Sequence, residues 1–206
     1  MALRLITDAT SEPVTLSDMI DHLRLSTSTA DGSSRDKAVI PYYTKAARLQ
    51  AENMTKRALA FEAWELTLDG FPSGGIEIPR PPISSMSSDV IITYLDSSGS
   101  CVTLASSAYS IDCDTEPALI TPTYDEDWPD TYDVPNAVRV NYKAGYLWSG
   151  TVCATPEPVK QWIKLKAAAY FEHREAAVIG ETFGMMRRDF LDGLLDPYVI
   201  SLIESE

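Results

Sequence analysis

The side chains whose types could ligate a metal or attack a carbonyl are two histidines, three cysteines and several clusters of acids in a chain of 206 residues. A metal site needs two or more ligands at a defined spacing. His22 and His173 each stand alone on a helical stretch, and Glu172-His173-Arg174-Glu175 lacks the second histidine of an HExxH pair. Both read as surface or interface histidines. Cys101, Cys113 and Cys153 are widely separated, form no CxxC and have no basic neighbour in sequence. They fit reduced, incidental thiols rather than a disulfide framework, a zinc site or a nucleophile. Asp112, Asp114 and Glu116 imitate the start of a calcium loop, but the turn glycine and the bidentate glutamate at the twelfth position are missing. The run Asp125-Glu126-Asp127 with Asp130 and Asp133 reads as a solvated acidic loop. Gly74-Gly75 precedes a strand pattern, not a helix, so it builds no phosphate cradle. There is no GxSxG elbow, and nothing selects a carboxylate pair for acid–base work. The expectation is a protein that is not an enzyme and needs no cofactor and no metal.

The chemistry that remains is that of surfaces. Met185-Met186 beside Arg187-Arg188 is the one local basic patch, and it couples an adaptable apolar side chain with the cation favoured at interfaces. The formal net charge is −13. A surface that acidic repels phosphate, which argues against a DNA-grasping domain but not against a wall that DNA slides past. An apolar fraction of 45% suffices for a core. No apolar run reaches the ~18 residues that span a bilayer. The opening Met1-Ala2-Leu3-Arg4-Leu5-Ile6 is too short for a signal peptide, so a cytoplasmic setting is expected.

The elements follow from hydrophobic period. Residues 1–14 look extended. Thr15 caps a first helix with the stripe Leu16, Met19, Ile20 and Leu23, ending near Leu25. A Ser/Thr-rich loop follows, and then a long helix starting around Lys37–Ile40. Its apolar face is Val39, Tyr43, Ala47, Ala51, Met54 and Ala58; Lys45, Arg48, Glu52 and Lys56 fall on the polar face, with Glu52 and Lys56 as an i,i+4 pair. Near Leu59 the period switches to two. Ala60 to Leu68 alternates as a strand, and β signals continue through Ile76–Ile78, Val90–Leu95, the turn Asp96–Ser100, Cys101–Leu104, Tyr109–Asp112, Ala118–Ile120 and Ala137–Tyr142. Helix returns at Thr155-Pro156-Glu157, with Thr155 as the expected cap and Val159, Ile163, Ala167 and Tyr170 as the stripe. A last helix is expected from Arg188 to Asp196, broken by Pro197. The predicted fold is α+β: a small helical bundle built from N- and C-terminal helices, with an inserted antiparallel β block. The expected parts are 1–59 helical, 60–150 β and 151–206 helical. Ala46, Ala47 and Ala51 against Ala167, Ala168 and Ala169 would allow close helix approach.

The residues Leu3-Arg4-Leu5-Ile6-Thr7, Glu12-Pro13-Val14-Thr15-Leu16, His22-Leu23-Arg24-Leu25, Thr55-Lys56-Arg57-Ala58-Leu59, Trp64 to Pro72, Ile78 to Ile83, Tyr109-Ser110-Ile111-Asp112, Ala144-Gly145-Tyr146, Pro156 to Gln161 and Leu194-Leu195-Asp196-Pro197-Tyr198 run through most of the chain in order. Together they resemble bacteriophage head–tail connector proteins of the head-completion adaptor type. Two departures are Lys56, where relatives often carry the glycine natural to a helix C′ position, and a longer loop at 26–35.

The resemblance implies a homo-oligomeric ring, commonly twelvefold, under the portal protein. Such a ring extends the DNA channel and offers a platform to the next tail or stopper component. It implies a location in the virion at the head–tail junction after assembly in the bacterial host cytoplasm. Double-stranded DNA would pass through without specific binding, and no membrane is involved. Exposure pattern and residue type nominate Tyr42, Arg48 and Glu52 on the long helix, Trp162 on the third helix, and Met185, Met186, Arg187, Arg188 and Tyr198 as the interface. A different class of function is a small-ligand or carbohydrate-binding module using Trp64, Tyr94, Trp128 and Tyr146 in the β block.

Overall fold

The computed structural model describes residues 1–25, 34–84, 87–149, 152–173 and 191–200. The chain divides into two compact units, residues 1–10 with 60–146, and residues 11–59 with 147–206.

The first unit holds strands β1 (Ala2–Thr7), β2 (Glu62–Leu68), β3 (Ile76–Ile78), β4 (Val90–Leu95), β5 (Cys101–Thr103), β6 (Tyr109–Asp112), β7 (Ala118–Pro122) and β8 (Val138–Ala144). Five form one sheet in the order β1-β2-β8-β4-β5, and three form another in the order β3-β7-β6; every pairing is antiparallel. Alternation in the sequence sets the register. Leu66 opposes Val140, which opposes Ile92, and all three are fully buried. Residues directly opposite share a face, so this row and the row Trp64–Tyr142–Val90 build the inner side of the sheet. The outer side carries Glu65, Arg139 and Lys143 at the intervening positions.

Gly145 closes this unit. Its φ is +110°, and a Cβ there would fall 1.9 Å from the Ala60 carbonyl oxygen. Its N–H donates to the Pro82 carbonyl at 2.7 Å. Only glycine permits that approach. The first ten residues, grouped by the sequence with the helices, belong instead to this unit, because β1 pairs with β2 across some sixty positions. Such a partnership leaves no local mark.

The second unit holds α1 (Leu16–His22), α2 (Ser34–Thr55), a short ladder of β9 (Trp148–Ser149) with β10 (Val152–Cys153), α3 (Glu157–Glu172) and a 3₁₀ turn at Asp196–Tyr198. Residues 147–150, expected to end the β block, fall with this unit. Thr15 caps α1 through a capping box: its hydroxyl accepts the Asp18 amide at 3.1 Å, and the Asp18 carboxylate accepts the Thr15 amide at 2.8 Å. The helix stops at His22, short of Leu25, and Arg24 turns the chain at φ +53°. α2 starts at Ser34, so Pro41 sits inside it rather than in the first turn. The missing N–H removes one rung, and the packing of a 22-residue helix outweighs it. Thr155 does not cap α3. Pro156 occupies that position without a side-chain bond, and the Thr155 hydroxyl donates to the Leu59 carbonyl at 2.9 Å.

The expected alanine contact is partly realised. Ala47, Ala51 and Ala167 are fully buried, whereas Ala46 and Ala169 face solvent. Tyr170 of α3 donates to Gln50 of α2 at 2.7 Å, and its ring lies 6.4 Å from that of Tyr43.

Candidate functional site

Arg48 and Glu52 depart most from expectation. The period of three and four places them on the polar face of α2. The structure buries them, at 0% and 1% exposure. Arg48 Nε donates to Glu12 Oε2 at 2.7 Å and Nη1 to Glu52 Oε1 at 2.9 Å. The same Glu52 oxygen accepts the Leu59 amide at 2.9 Å. Two threonines complete this buried polar face. Thr44 and Thr55 return their hydroxyls to the Ile40 and Ala51 carbonyls of their own helix, at 3.0 and 2.8 Å. Hydropathy cannot anticipate this arrangement, because the partner that makes Arg48 burial tolerable lies thirty-six residues upstream. The Glu52–Lys56 pair does not form part of the helix surface either. α2 ends at Thr55, and Lys56 takes φ +61°.

Leu59 is thereby held at both backbone groups, by Glu52 at its N–H and Thr155 at its carbonyl. The C-terminal segment docks beside it. Arg57 Nε donates to the Tyr198 carbonyl at 2.6 Å, the Ile200 amide to the Thr55 carbonyl at 3.1 Å, and Leu195 is 1% exposed. Sequence reasoning named none of Glu12, Leu59, Thr155 or Asp192 as anchors. The only hint was the helix end near Leu59.

The other nominated interface residues separate. Trp162 is 1% exposed and its indole N–H donates to Asp192 Oδ1 at 3.2 Å, so it anchors the C-terminal segment within the unit. Tyr42 is 74% exposed, and Tyr198 is half-buried. Met185, Met186, Arg187 and Arg188 lie outside the described residues.

For catalysis the geometry offers little. The Cys113 thiol is pushed up by burial and by the neighbouring charges of Asp112 and Asp114, which disfavours a thiolate. Cys153 is buried against the Thr155 hydroxyl at 3.1 Å. His22 is held below its usual value by burial and by the charge of Lys164. Among the described residues no three His, Cys, Asp or Glu side chains gather as a metal site. No described helix is long and apolar enough to cross a membrane. The two best-formed hollows are small. One, of about 280 Å³, is lined by Glu12, Val14, Leu16 and Pro41 among others; the second, of about 190 Å³, by Thr93, Leu95, Cys101 and Arg139 among others. Both fall short of the ~300–1,000 Å³ of ordinary ligand sites, and the carboxylate in the first is engaged by Arg48.

Of the four aromatics considered as a ligand surface, two pack on a common ring. Trp128 stacks on Phe71 at 4.8 Å and 6°, with its N–H donated to the Gly74 carbonyl at 2.8 Å; Tyr94 meets the same Phe71 edge-on at 5.6 Å. Trp64 lies apart from that stack, on the inner side of the large sheet with the Arg80 guanidinium 5.3 Å from its ring centroid. Tyr146 is half-buried.

Three solved chains share the fold of this one. One comes from the neck of an empty gene transfer agent particle computed with C6 symmetry, at a TM-score of 0.75 and 22% identity, over 100% of this chain and 99% of that one. A chain from the virion of a native gene transfer agent particle gives 0.74 and 21%, with the same coverage. A third, from the neck of a native particle computed with C12 symmetry, gives 0.70 and 18%, again over 100% and 99%. No protein-family model matches the chain, and no curated protein matches it.

Proposed function

We propose that this chain is a structural neck component of a tailed phage or phage-like particle. In this reading it forms a ring under the portal, extends the DNA channel and provides the docking platform for the next tail or stopper protein. The observation that carries the reading is end-to-end correspondence of fold with chains of gene transfer agent particles, two of them from structures of the neck, over all of this chain. The C6 and C12 symmetries of two of those necks support a ring as the working assembly. A heterologous interface repeated about an axis closes such a ring.

Two physical features agree with the proposal. Among the described residues the titratable groups are engaged in structural bonds or lie in solvent and do not gather into a metal site, as suits a scaffold. The charge of −13 keeps passing DNA from adhering, since like charges repel within a Debye length of about 8–10 Å. The protein would reside at the head–tail junction of the virion.

The test is co-expression with the portal protein of the same particle, followed by affinity purification and negative-stain electron microscopy. Rings of this chain seated on the portal are expected. A chain that neither co-purifies with the portal nor forms rings at any concentration refutes the proposal.

A further inference from the structure

Charge is distributed unevenly in the β unit. Residues 1–10 and 60–146 carry 4 basic side chains, Arg4, Arg80, Arg139 and Lys143, against 15 acidic ones, a net of −11. Three of the four cations share one face. Arg4 opposes Glu65 across β1 and β2, and Arg139 and Lys143 oppose Thr67 and Ala63 across β2 and β8. These positions all lie on the outer side of the five-stranded sheet, and the three side chains are 66%, 54% and 47% exposed. Ile91, 48% exposed, stands among them opposite Asn141.

The acids concentrate elsewhere. Asp125, Glu126, Asp127, Asp130 and Asp133 are all exposed on the loop between β7 and β8. The same loop presents Tyr124 at 96% exposure and Tyr132 at 46%. The three cations share two carboxylates of their own chain, Glu65 with Arg4 at 2.8 Å and Arg139 at 4.0 Å, and Asp89 with Lys143 at 2.7 Å, so one surface keeps an excess of positive charge beside an exposed isoleucine, and the other is acidic with exposed tyrosines.

We propose that the basic outer face of the large sheet is the docking surface for the Tyr124–Asp133 loop of a second copy of this chain. The inference rests on the ring reading given above and names the contact that would repeat around it. Two different patches meet, so the contact is heterologous, as ring closure requires. The carboxylates of the loop answer Arg4, Arg139 and Lys143, and the tyrosine rings cover Ile91, which gives steering by charge and burial by the aromatics.

The test mixes ¹⁴N- and ¹⁵N-labelled full-length chain, adds a zero-length carbodiimide cross-linker and maps the products by mass spectrometry. Lys143 lies 2.7 Å from Asp89 of its own chain, so that intrachain product is an internal standard. The expected result is a mixed-isotope product joining Lys143 to an acid between Asp125 and Asp133, lost in 0.5 M salt. Arg139→Glu should weaken association at least tenfold without altering circular dichroism, and mixing it with an Asp127→Arg chain should restore association. Rings in micrographs without the mixed-isotope product overturn this contact and leave the ring reading standing. Absence of the product overturns this contact whether or not rings form, and the ring reading falls with it only if the chain also fails to co-purify with the portal. Retardation of a short DNA duplex that Arg139→Glu abolishes, again without the product, also overturns the contact, because the face would then read phosphate.

Discussion

Glu52 and Leu59 are joined across the end of α2, carboxylate to backbone amide, at 2.9 Å. The bond spans seven residues and fixes the chain as it leaves the helix for β2. Arg48 neutralises the same carboxylate oxygen from one turn earlier, and Glu12 holds Arg48 from the N-terminal segment. A buried ion network therefore secures the exit from α2.

Removing the cation from that network should be costly. Arg48→Ala removes the guanidinium bonds accepted by Glu12 and by the buried Glu52, and is expected to destabilise by roughly 3–5 kcal/mol. Arg48→Met combined with Glu52→Gln should lose distinctly less, because the amide oxygen still accepts from Leu59 and the charge at the fully buried position 52 is gone. Urea unfolding followed by helical circular dichroism distinguishes the two. Equal losses would show that charge neutralisation is not what Arg48 contributes.

Lys56→Gly should stabilise the protein. Lys56 is exposed and sits at φ +61°, immediately after the last residue of α2. A side chain in that conformation costs about 1–2 kcal/mol, and glycine's extra freedom when unfolded returns part of this. A net gain of about 0.5–1 kcal/mol raises the melting midpoint by ~1–4 °C. Calorimetry showing no rise would mean that the lysine side chain is stabilised there by contacts of its own.

Two glycines of positive φ should respond differently to alanine. At Gly145 the added methyl meets the Ala60 carbonyl, so Gly145→Ala is expected to cost about 3 kcal/mol or more, with loss of near-ultraviolet circular dichroism. At Gly99, φ is +81° and nothing lies within 4 Å of the added atom, so Gly99→Ala should cost only the conformational strain, about 1 kcal/mol. Similar losses for both would contradict the close approach at Gly145.

Asp89 should contribute to the acid limb of stability. Hydrogen bonds from Lys143 and from Ser84 hold its carboxyl below the usual value, with burial opposing and the Lys143 charge adding. A depressed folded pKa contributes stability that is present above the unfolded value, near 4, and is lost as pH falls through the folded value. The difference in unfolding free energy between the wild type and Asp89→Asn should therefore be constant from pH 8 to 5 and shrink below about pH 4. A difference that persists unchanged to pH 2 would assign the effect to packing instead.

The alternation Trp64-Glu65-Leu66-Thr67-Leu68 is enough to state a half-buried strand, because the period of side chains along a strand is a property of the backbone. Thr15 announces its cap of α1 for the same local reason, whereas the reciprocal bond from Asp18 was not read from sequence. The class of fold, α+β with an antiparallel β block between helical stretches of sequence, follows from where the period changes. The candidate interface was legible only as residue types. Tyr42 does face solvent, whereas Trp162, Arg48 and Glu52 are occupied inside the helical unit.

Neighbours within about four positions thus set the period of most segments and the Thr15 cap, and these were legible from sequence. The tertiary structure alone decided that β1 joins β2, that Arg48 turns inward to Glu12, that Thr155 serves Leu59 rather than α3, and that three cations collect on one sheet face. Each of these depends on a partner or a register set many residues away. Burial of a charge, or its display, is decided by that partner's position and not by the residue's own polarity.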